Sequence, residues 1–414
     1  MKFCFFTFGC KLNQAESDMI SADLISIGLV RDSAPPVDFI IINACSVTAT
    51  AASEVMKKIK TLKGQYPQSK IILTGCFIPA RYPGVDLLIN NNYKSQFSQS
   101  LSQKFNLTRV SQGHSNFFSA SSRHPHRAFI KIQTGCNNFC AYCIVPKLRG
   151  LPKSRPTKDI IQNIITIEKQ GLKEVVLTGV NIGLYHENIK ALKHKNNNGL
   201  LALLKLILSQ TNIPRVRLGS LWPTHITPEL IKLYASESRL CPHFHLSIQS
   251  GSDRILKLMN RSYRAKDILA ITSTCRANIK NINFTCDIIV GFPGETDKDF
   301  GDTCELIEKI GFSKVHIFQF SPRPSTRAEK MAGQTPTTIK QARYKKLSII
   351  SEAIAQREKN KFKNKKLPVL WEGIAHGYQY GFTDNYLRTK KKVKPKENWG
   401  NKIENFKIAK ISLS

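Results

Sequence analysis

Cys136, Cys140 and Cys143 lie in the run Cys136-Asn137-Asn138-Phe139-Cys140-Ala141-Tyr142-Cys143, a C-x3-C-x2-C spacing. Three thiolates so placed can each ligate one iron of a cubane iron–sulfur cluster. A ferredoxin cluster takes a fourth cysteine, and none follows nearby. One iron is then left open, and an open iron is where chemistry on a bound substrate can happen. Zinc is the rival occupant, but zinc sites usually pair two C-x2-C knuckles. The bland alternative is three scattered structural cysteines.

The elements that must present this run follow from periodicity. Ala128–Gln133 alternates as a strand and ends in the turn Thr134-Gly135. From there to about residue 320, candidate strands fall at Glu174–Thr178, Arg215–Leu218, Phe244–Ile248, Phe284–Val290 and Val315–Phe320. Helical patterns separate them at about Thr157–Lys169, Leu200–Ser209, Pro228–Ala235, Ala265–Arg276 and Asp297–Ile310. Thr157 is the expected N-cap of the first helix and Gly171 its stop. About six βα units fall short of the eight that close a barrel, so a partial, open barrel is expected, with its site at the carboxyl ends of the strands. The polar stretch His186–Asn198 reads as a surface insertion.

Residues 1–90 show the same alternation. Phe3–Phe8, Phe39–Ile42 and Ile71–Leu73 are short apolar strands. Ala15–Ile27 and Ala51–Leu62 carry apolar residues at helical spacing. A parallel α/β sheet follows, whose ligand crevice lies at the carboxyl ends of its strands. Each strand leads there into a cysteine: Cys10, Cys45 and Cys76. One such cysteine would more often be a small buried hydrophobe. Three in one topological place point to a second cluster with an open iron.

The chain of 414 residues has room for two or three domains. Its 62 Lys and Arg against 29 Asp and Glu give a net charge of +33, which favours a polyanionic partner. Met1–Cys10 is followed at once by polar residues and shows no cleavage site, so it reads as a first strand and not as a signal peptide. No apolar run approaches the ~20 residues that span a bilayer. Eleven cysteines without exported character suit a reducing cytosol and metal ligation.

Residues 91–127 are polar and read as a linker or edge excursion. Residues 340–366 hold ten Lys/Arg against two Glu, with Ile349, Ile350, Ala353 and Ile354 marking an amphipathic helix in the first half. Short strands are expected at Pro368–Trp371, Asn385–Thr389 and Ile408–Ser412. Aromatics here interleave with Lys390, Lys391, Lys392, Lys394 and Lys396, which suits base stacking and phosphate contact.

The Cys136–Cys143 run resembles the signature of the radical S-adenosylmethionine (SAM) enzymes. Gly9-Cys10-Lys11-Leu12-Asn13-Gln14, Asn43-Ala44-Cys45-Ser46-Val47-Thr48 and Thr74-Gly75-Cys76 resemble the amino-terminal domain of the methylthiotransferases. Tyr380-Gly381-Phe382-Thr383-Asp384-Asn385-Tyr386 resembles the TRAM domain, a small RNA-gripping β-barrel. The resemblance implies an α/β chain of four parts: residues 1–125 with an auxiliary cluster, a radical SAM core at 126–335, a basic helical linker at 336–366, and a TRAM-like domain at 367–414. It implies two [4Fe-4S] clusters, held by Cys136, Cys140 and Cys143 and by Cys10, Cys45 and Cys76. It places SAM against Tyr142 and in the strand-end loops at Thr178, Gly179, Asn181, Arg217, Ser220, Gln249 and Asp287. Trp222-Pro223 departs from the family, which usually has an acidic residue before this proline; Ser325 and Arg327 stand where Gly and Pro are commoner.

The resemblance implies methylthiolation of an unactivated C–H. The Gly9–Gln14 opening and Ser321–Pro324 look most like the branch acting on C2 of N6-threonylcarbamoyladenosine at tRNA position 37. The partners expected are the tRNA anticodon stem-loop and a reducing electron-transfer protein, with no membrane and a cytoplasmic location. The alternatives are the same reaction on N6-isopentenyladenosine, or a non-catalytic iron–sulfur or zinc RNA-binding protein.

Overall fold

The computed structural model describes residues 1–45, 49–77, 82–107, 126–186, 199–394 and 397–408. Ser46-Val47-Thr48, residues 108–125, most of the 186–198 insertion, Lys396 and the end of the expected last strand lie outside the described residues.

The amino-terminal sheet contains β1 (Lys2–Thr7), β2 (Val30–Arg31), β3 (Phe39–Cys45), β4 (Lys70–Cys76) and β5 (Leu87–Ile89). They run parallel in the order β2-β1-β3-β4-β5. Strand residues alternate between two apolar layers. Ile40, Ile42, Ile71 and Leu73 meet Val55, Ile59 and Leu62 of α2 (Ala49–Gln65). Phe39, Ile41 and Ile72 meet Ile20 and Leu24 of α1 (Lys11–Ser26). The same layer receives Phe97 and Leu101 of α3 (Phe97–Phe105). The first part of the expected linker is therefore structured. Two apolar residues four apart suffice to dock α3, and so short a helix leaves little periodicity in a polar stretch.

The central barrel begins with β6 (Arg127–Lys131). The brief strands β7 (Gln133–Thr134) and β8 (Lys153–Ser154) pair antiparallel and bracket α4 (Val145–Arg149). Five longer βα repeats follow. β9 (Glu174–Thr178) comes after α5 (Thr157–Lys169), and β10 (Arg215–Leu218) and β11 (Ser220–Leu221) come after α6 (Gly199–Gln210). Then come α7 (Pro228–Ser236), β12 (His243–Gln249), α8 (Asp253–Leu258), α9 (Ala265–Asn278), β13 (Asn283–Val290), α10 (Asp297–Ile310) and β14 (Lys314–Gln319). The strands form two parallel arcs, β6-β9-β10 and β11-β12-β13-β14, with β10 and β11 separated only by Gly219. This is the open (βα)6 barrel. Thr157 is not the N-cap of α5: Pro156 holds that position, and the Thr157 hydroxyl bonds the Tyr185 hydroxyl at 3.0 Å. Gly171 follows α5 at φ +82°, as a stop residue should.

The basic segment forms α11 (Thr337–Asn360). Leu347 and Ile354 enter the barrel core, while Lys345, Lys346 and Arg357 are exposed. Beyond it β15 (Lys366–Ala375), β16 (Tyr378–Thr383), β17 (Arg388–Lys392) and β18 (Ile403–Lys407) make an antiparallel sheet in the order β17-β16-β15-β18. Asn385 lies in the turn before β17, and the last described strand precedes Ile408 instead of starting there. No described helix is long and apolar enough to cross a membrane.

Candidate functional site

The loop carrying Cys136, Cys140 and Cys143 is pinned on three sides. Gly135 adopts φ +73°, and a Cβ there would collide with the Leu151 carbonyl, so only glycine fits the turn. The Cys136 amide donates to the Gly150 carbonyl at 3.0 Å. The Ala141 amide donates to Met259 at 3.0 Å, and its carbonyl accepts from Ala328 at 2.8 Å. Phe139 takes φ +45° and leaves its ring 58% exposed. Cys136 and Cys140 are buried and Cys143 is half-buried.

Of the residues expected to meet SAM, Tyr142 belongs to this loop, and Thr178, Gly179 and Asn181 adjoin Ile132 and Gln133 at its base. Gln133 organises one side. Its amide nitrogen donates to the Thr134 and Gly135 carbonyls, and its amide oxygen accepts from the Asn181 backbone N–H at 3.0 Å. A Cβ on Gly179 would press on Gln133, so this close approach requires glycine. Thr178 closes β9, and Gln249 closes β12 at φ +69°. Ser220 lies beside His245 in register, and the Asp287 carboxylate lies 3.0 Å from His245 Nε2. Tyr142 packs edge-on to Phe292 and accepts from Arg261.

Arg217 is not brought to this edge. It forms two bonds to Glu174 at the opposite, amino-terminal end of the strands, at 2.9 and 3.1 Å. There it also reaches the carbonyls of Asp384 and Thr383. Burial raises the Glu174 carboxyl, and Arg217, Arg127 and Arg215 more than reverse this, leaving it far below the usual carboxylate range. Arg217 thus fastens the carboxyl-terminal sheet to the barrel, assisted by Tyr386, whose ring lies under the Arg217 guanidinium at 4.8 Å.

Arg261 escapes a reading of spacing alone. Its guanidinium lies 4.0 Å from the Trp222 ring centre, so the departure at Trp222 supplies a cation–π platform. Arg261 Nε and Nη1 are shielded from water and unpartnered, as is the amide nitrogen of Asn138, while the Asn181 side chain has only the Cys136 thiol to meet. Such orphans are rare without a bound group to meet them, and they converge on the cysteine loop. The inner faces of β12, β13 and β14 carry His245, Asp287 and His316, while His243 stacks on Tyr386 at the Arg217 mouth, where Lys11 of α1 also reaches.

The second triad also assembles. Cys45 and Cys76 are register partners on adjacent strands. Cys10 is the N-cap residue of α1, and its neighbour Gly9 abuts Cys45. Arg149, from the loop that bears the other triad, donates Nε to the Cys76 sulfur at 2.8 Å. Arg323, in the loop after β14, adds a positive charge near Cys45. No three His, Cys, Asp or Glu side chains among the described residues are close enough to grip one metal ion. A cubane takes one thiolate per iron and so suits a wider triad. The orphaned donors beside the Cys136 loop and the Arg149 N–H on the Cys76 sulfur suit such a group in their chemistry.

The five remaining cysteines do other work. Cys4, Cys241, Cys275 and Cys286 are buried. Burial pushes the Cys4 thiol up to about 11 and those of Cys241 and Cys275 up to about 12. They are inert core residues. Cys304 is half-buried against the barrel core.

Comparison with known proteins agrees with this architecture. Residues 130–307 match the Radical SAM superfamily, and residues 2–91 match Uncharacterized protein family UPF0004. The threonylcarbamoyladenosine tRNA methylthiotransferase MtaB of Thermotoga maritima is 34% identical over 99% of this chain and 94% of its own length. The MtaB of Chlamydia pneumoniae is 37% identical over 88% of this chain and 86% of its own. A tRNA-2-methylthio-N(6)-dimethylallyladenosine synthase of Acetivibrio thermocellus is 32% identical over 98% and 85%. Among solved structures, the radical SAM methyltransferase TsrM of Kitasatospora setae, with cobalamin and a [4Fe-4S] cluster bound, shares the fold. Its TM-score is 0.56 at 12% identity, covering 79% of this chain and 77% of that one. The superfamily implies SAM and a [4Fe-4S] cluster as cofactors. The chain belongs to the methylthiotransferase family of radical SAM enzymes.

Proposed function

We propose that this protein adds a methylthio group to C2 of N6-threonylcarbamoyladenosine at position 37 of tRNA, beside the anticodon, in the cytoplasm. The observation that carries the reading is the pair of cysteine triads, one in each α/β unit, joined by the Arg149–Cys76 contact. Cys136, Cys140 and Cys143 would hold one [4Fe-4S] cluster, and Cys10, Cys45 and Cys76 a second. When bound, the first supplies the electron that cleaves SAM to a 5′-deoxyadenosyl radical, and the second holds the sulfur that is methylated and inserted.

The chain's own residues divide the remaining work. Tyr142, Thr178, Gly179, Asn181, Ser220, Gln249 and Asp287 line the SAM side, and Arg261 offers two free N–H donors to its carboxylate. His245 and His316 meet on the inner face of the barrel and make it polar. That suits the anionic threonylcarbamoyl side chain, whereas an isopentenyl group calls for an apolar wall. The first two relatives described above carry the threonylcarbamoyl name.

RNA is held by the basic carboxyl-terminal parts. On β16 and β17, Lys390 lies 4.4 Å from the Tyr378 ring and Arg388 lies 4.8 Å from that of Tyr380. This aromatic and cationic ladder can stack bases and meet phosphates. The exposed lysines of α11 extend the surface, and a reducing electron-transfer protein completes the system.

Nucleoside mass spectrometry of tRNA from cells with and without the gene tests the reading. Loss of the methylthio form of threonylcarbamoyladenosine is expected. Loss of the isopentenyl form instead would move the substrate, and no change would end the proposal.

A further inference from the structure

We infer that Arg149 is a positioning residue for the amino-terminal sulfur site, setting the electronic character of the group bound at Cys76 and tying it to the Cys136 loop. The inference rests on the two-cluster reading and deepens it.

Arg149 is 5% exposed, and the geometry accounts for its whole donor set. A guanidinium has five N–H groups in a fixed fork. Nε donates to the Cys76 sulfur at 2.8 Å. Nη1 donates to Glu16 Oε1 at 2.7 Å and faces the Thr134 hydroxyl at 3.4 Å. Nη2 donates to Asn13 Oδ1 at 2.7 Å and Glu16 Oε2 at 3.1 Å. A residue needed only to neutralise Glu16 could do so through its two terminal nitrogens. The remaining N–H goes to sulfur, and no lysine could reproduce that fork.

The contact crosses between the two α/β units. Cys76 ends β4 of the first sheet, while Arg149 ends α4, six residues beyond Cys143. One short loop therefore sends three thiols to one site and a guanidinium to the other. A second strut runs beside it: Asn91 Nδ2 donates to the Gly75 and Leu148 carbonyls, both at 3.0 Å. These are the residues just before Cys76 and Arg149. Glu16, which orients Arg149, also accepts from Lys131 of β6 at 2.8 Å and pairs with Lys94. The arrangement fixes the separation over which sulfur would be handed on.

An N–H donor on a ligating sulfur withdraws negative charge and favours the reduced, more negative cluster. Removing Arg149 therefore lowers the reduction potential of the amino-terminal cluster. Removing the Glu16 charge raises it. Arg149→Lys separates the two contributions: it keeps the positive charge and loses the Nε–H on sulfur, so a fall in midpoint there reports the hydrogen bond.

The test uses full-length protein with Cys136, Cys140 and Cys143 changed to Ala, reconstituted anaerobically with iron and sulfide. Iron content and an EPR-monitored redox titration are measured with Arg149→Met, Arg149→Lys and Glu16→Gln added singly. The midpoint is expected to fall in Arg149→Met, to fall less in Arg149→Lys, and to rise in Glu16→Gln. An unchanged midpoint in Arg149→Met or Arg149→Lys, or shifts of the same sign in Arg149→Met and Glu16→Gln, overturns the inference. If Arg149→Met does not fold, Arg149→Lys and Glu16→Gln decide by the same opposition of sign. A parent lacking iron overturns the two-cluster reading itself, whereas bound iron insensitive to Arg149 overturns this inference alone.

Discussion

Cys45 and Cys76 face one another as the last register pair of β3 and β4, and Gly9 closes the third side. Gly9 has φ +89°, and a Cβ there would lie 2.5 Å from the Cys45 Cβ. Gly9→Ala is therefore both strained and obstructed. It should displace Cys45 and cost the reconstituted protein about half its iron, as expected when one of two equal clusters is lost. Iron and sulfide analysis checks this, with far-ultraviolet circular dichroism to show that the fold persists.

Arg261 is held by Trp222 and Tyr142 with two donors idle. Arg261→Met should weaken SAM binding by roughly ten-fold or more, the worth of a charge-assisted hydrogen bond of about 1.5–3 kcal/mol. Equilibrium dialysis with the reconstituted protein measures it. Unchanged affinity would remove Arg261 from the SAM side.

Arg217→Met leaves Glu174 buried with only Arg127 and Arg215 nearby, at 3.9 and 3.5 Å. Losing the two charge-assisted bonds from Arg217 costs about 1.5–3 kcal/mol. The carboxyl-terminal sheet should loosen from the barrel, read as faster proteolysis near residue 366. SAM affinity should hold, because the side chain points away from the cysteine loop.

Asp18 gives the fold a pH dependence. Burial lifts its carboxyl to about 7, with Arg31 at 4.0 Å opposing only weakly, and its Oδ2 has no partner. The folded chain then holds a proton that the unfolded chain releases, so stability falls as pH rises from the ordinary carboxylate range through about 7. Asp18→Asn should be more stable than the parent at pH 8 by an amount that shrinks toward pH 5. Denaturant midpoints at the two pH values decide it, and equal differences at both would contradict the assignment.

Much of this molecule was legible in its sequence. Strand order alone brought Cys45 and Cys76 to one sheet edge with Gly9-Cys10 beside them, as the topology implied. The barrel strands Glu174–Thr178 and Arg215–Leu218 and the helices Thr157–Lys169 and Asp297–Ile310 fell where periodicity put them. What stayed hidden depends on contacts between distant segments. Arg149 meets Glu16 across 133 residues and Arg217 meets Asp384 across 167, so no window contains both partners. Arg217 shows the consequence: its place near a strand end suggested SAM, but alternation and Glu174 turned it to the other mouth of the barrel. Ser325 shows the reverse. Its φ of +64° explains why glycine is commoner there, and Ser325 tolerates it with its N–H on Glu329 at 2.7 Å.

The central claim is sulfur insertion into one nucleoside, using two cysteine triads in one chain. The most direct measurement is an anaerobic reaction of reconstituted protein with SAM, a low-potential reductant and tRNA bearing threonylcarbamoyladenosine or isopentenyladenosine, followed by mass spectrometry of the digested nucleosides. The account predicts a methylthio product from the threonylcarbamoyl tRNA, absent when Cys45 or Cys140 is changed to Ala. Product from the isopentenyl tRNA alone, or undiminished product with Cys45→Ala, would contradict it.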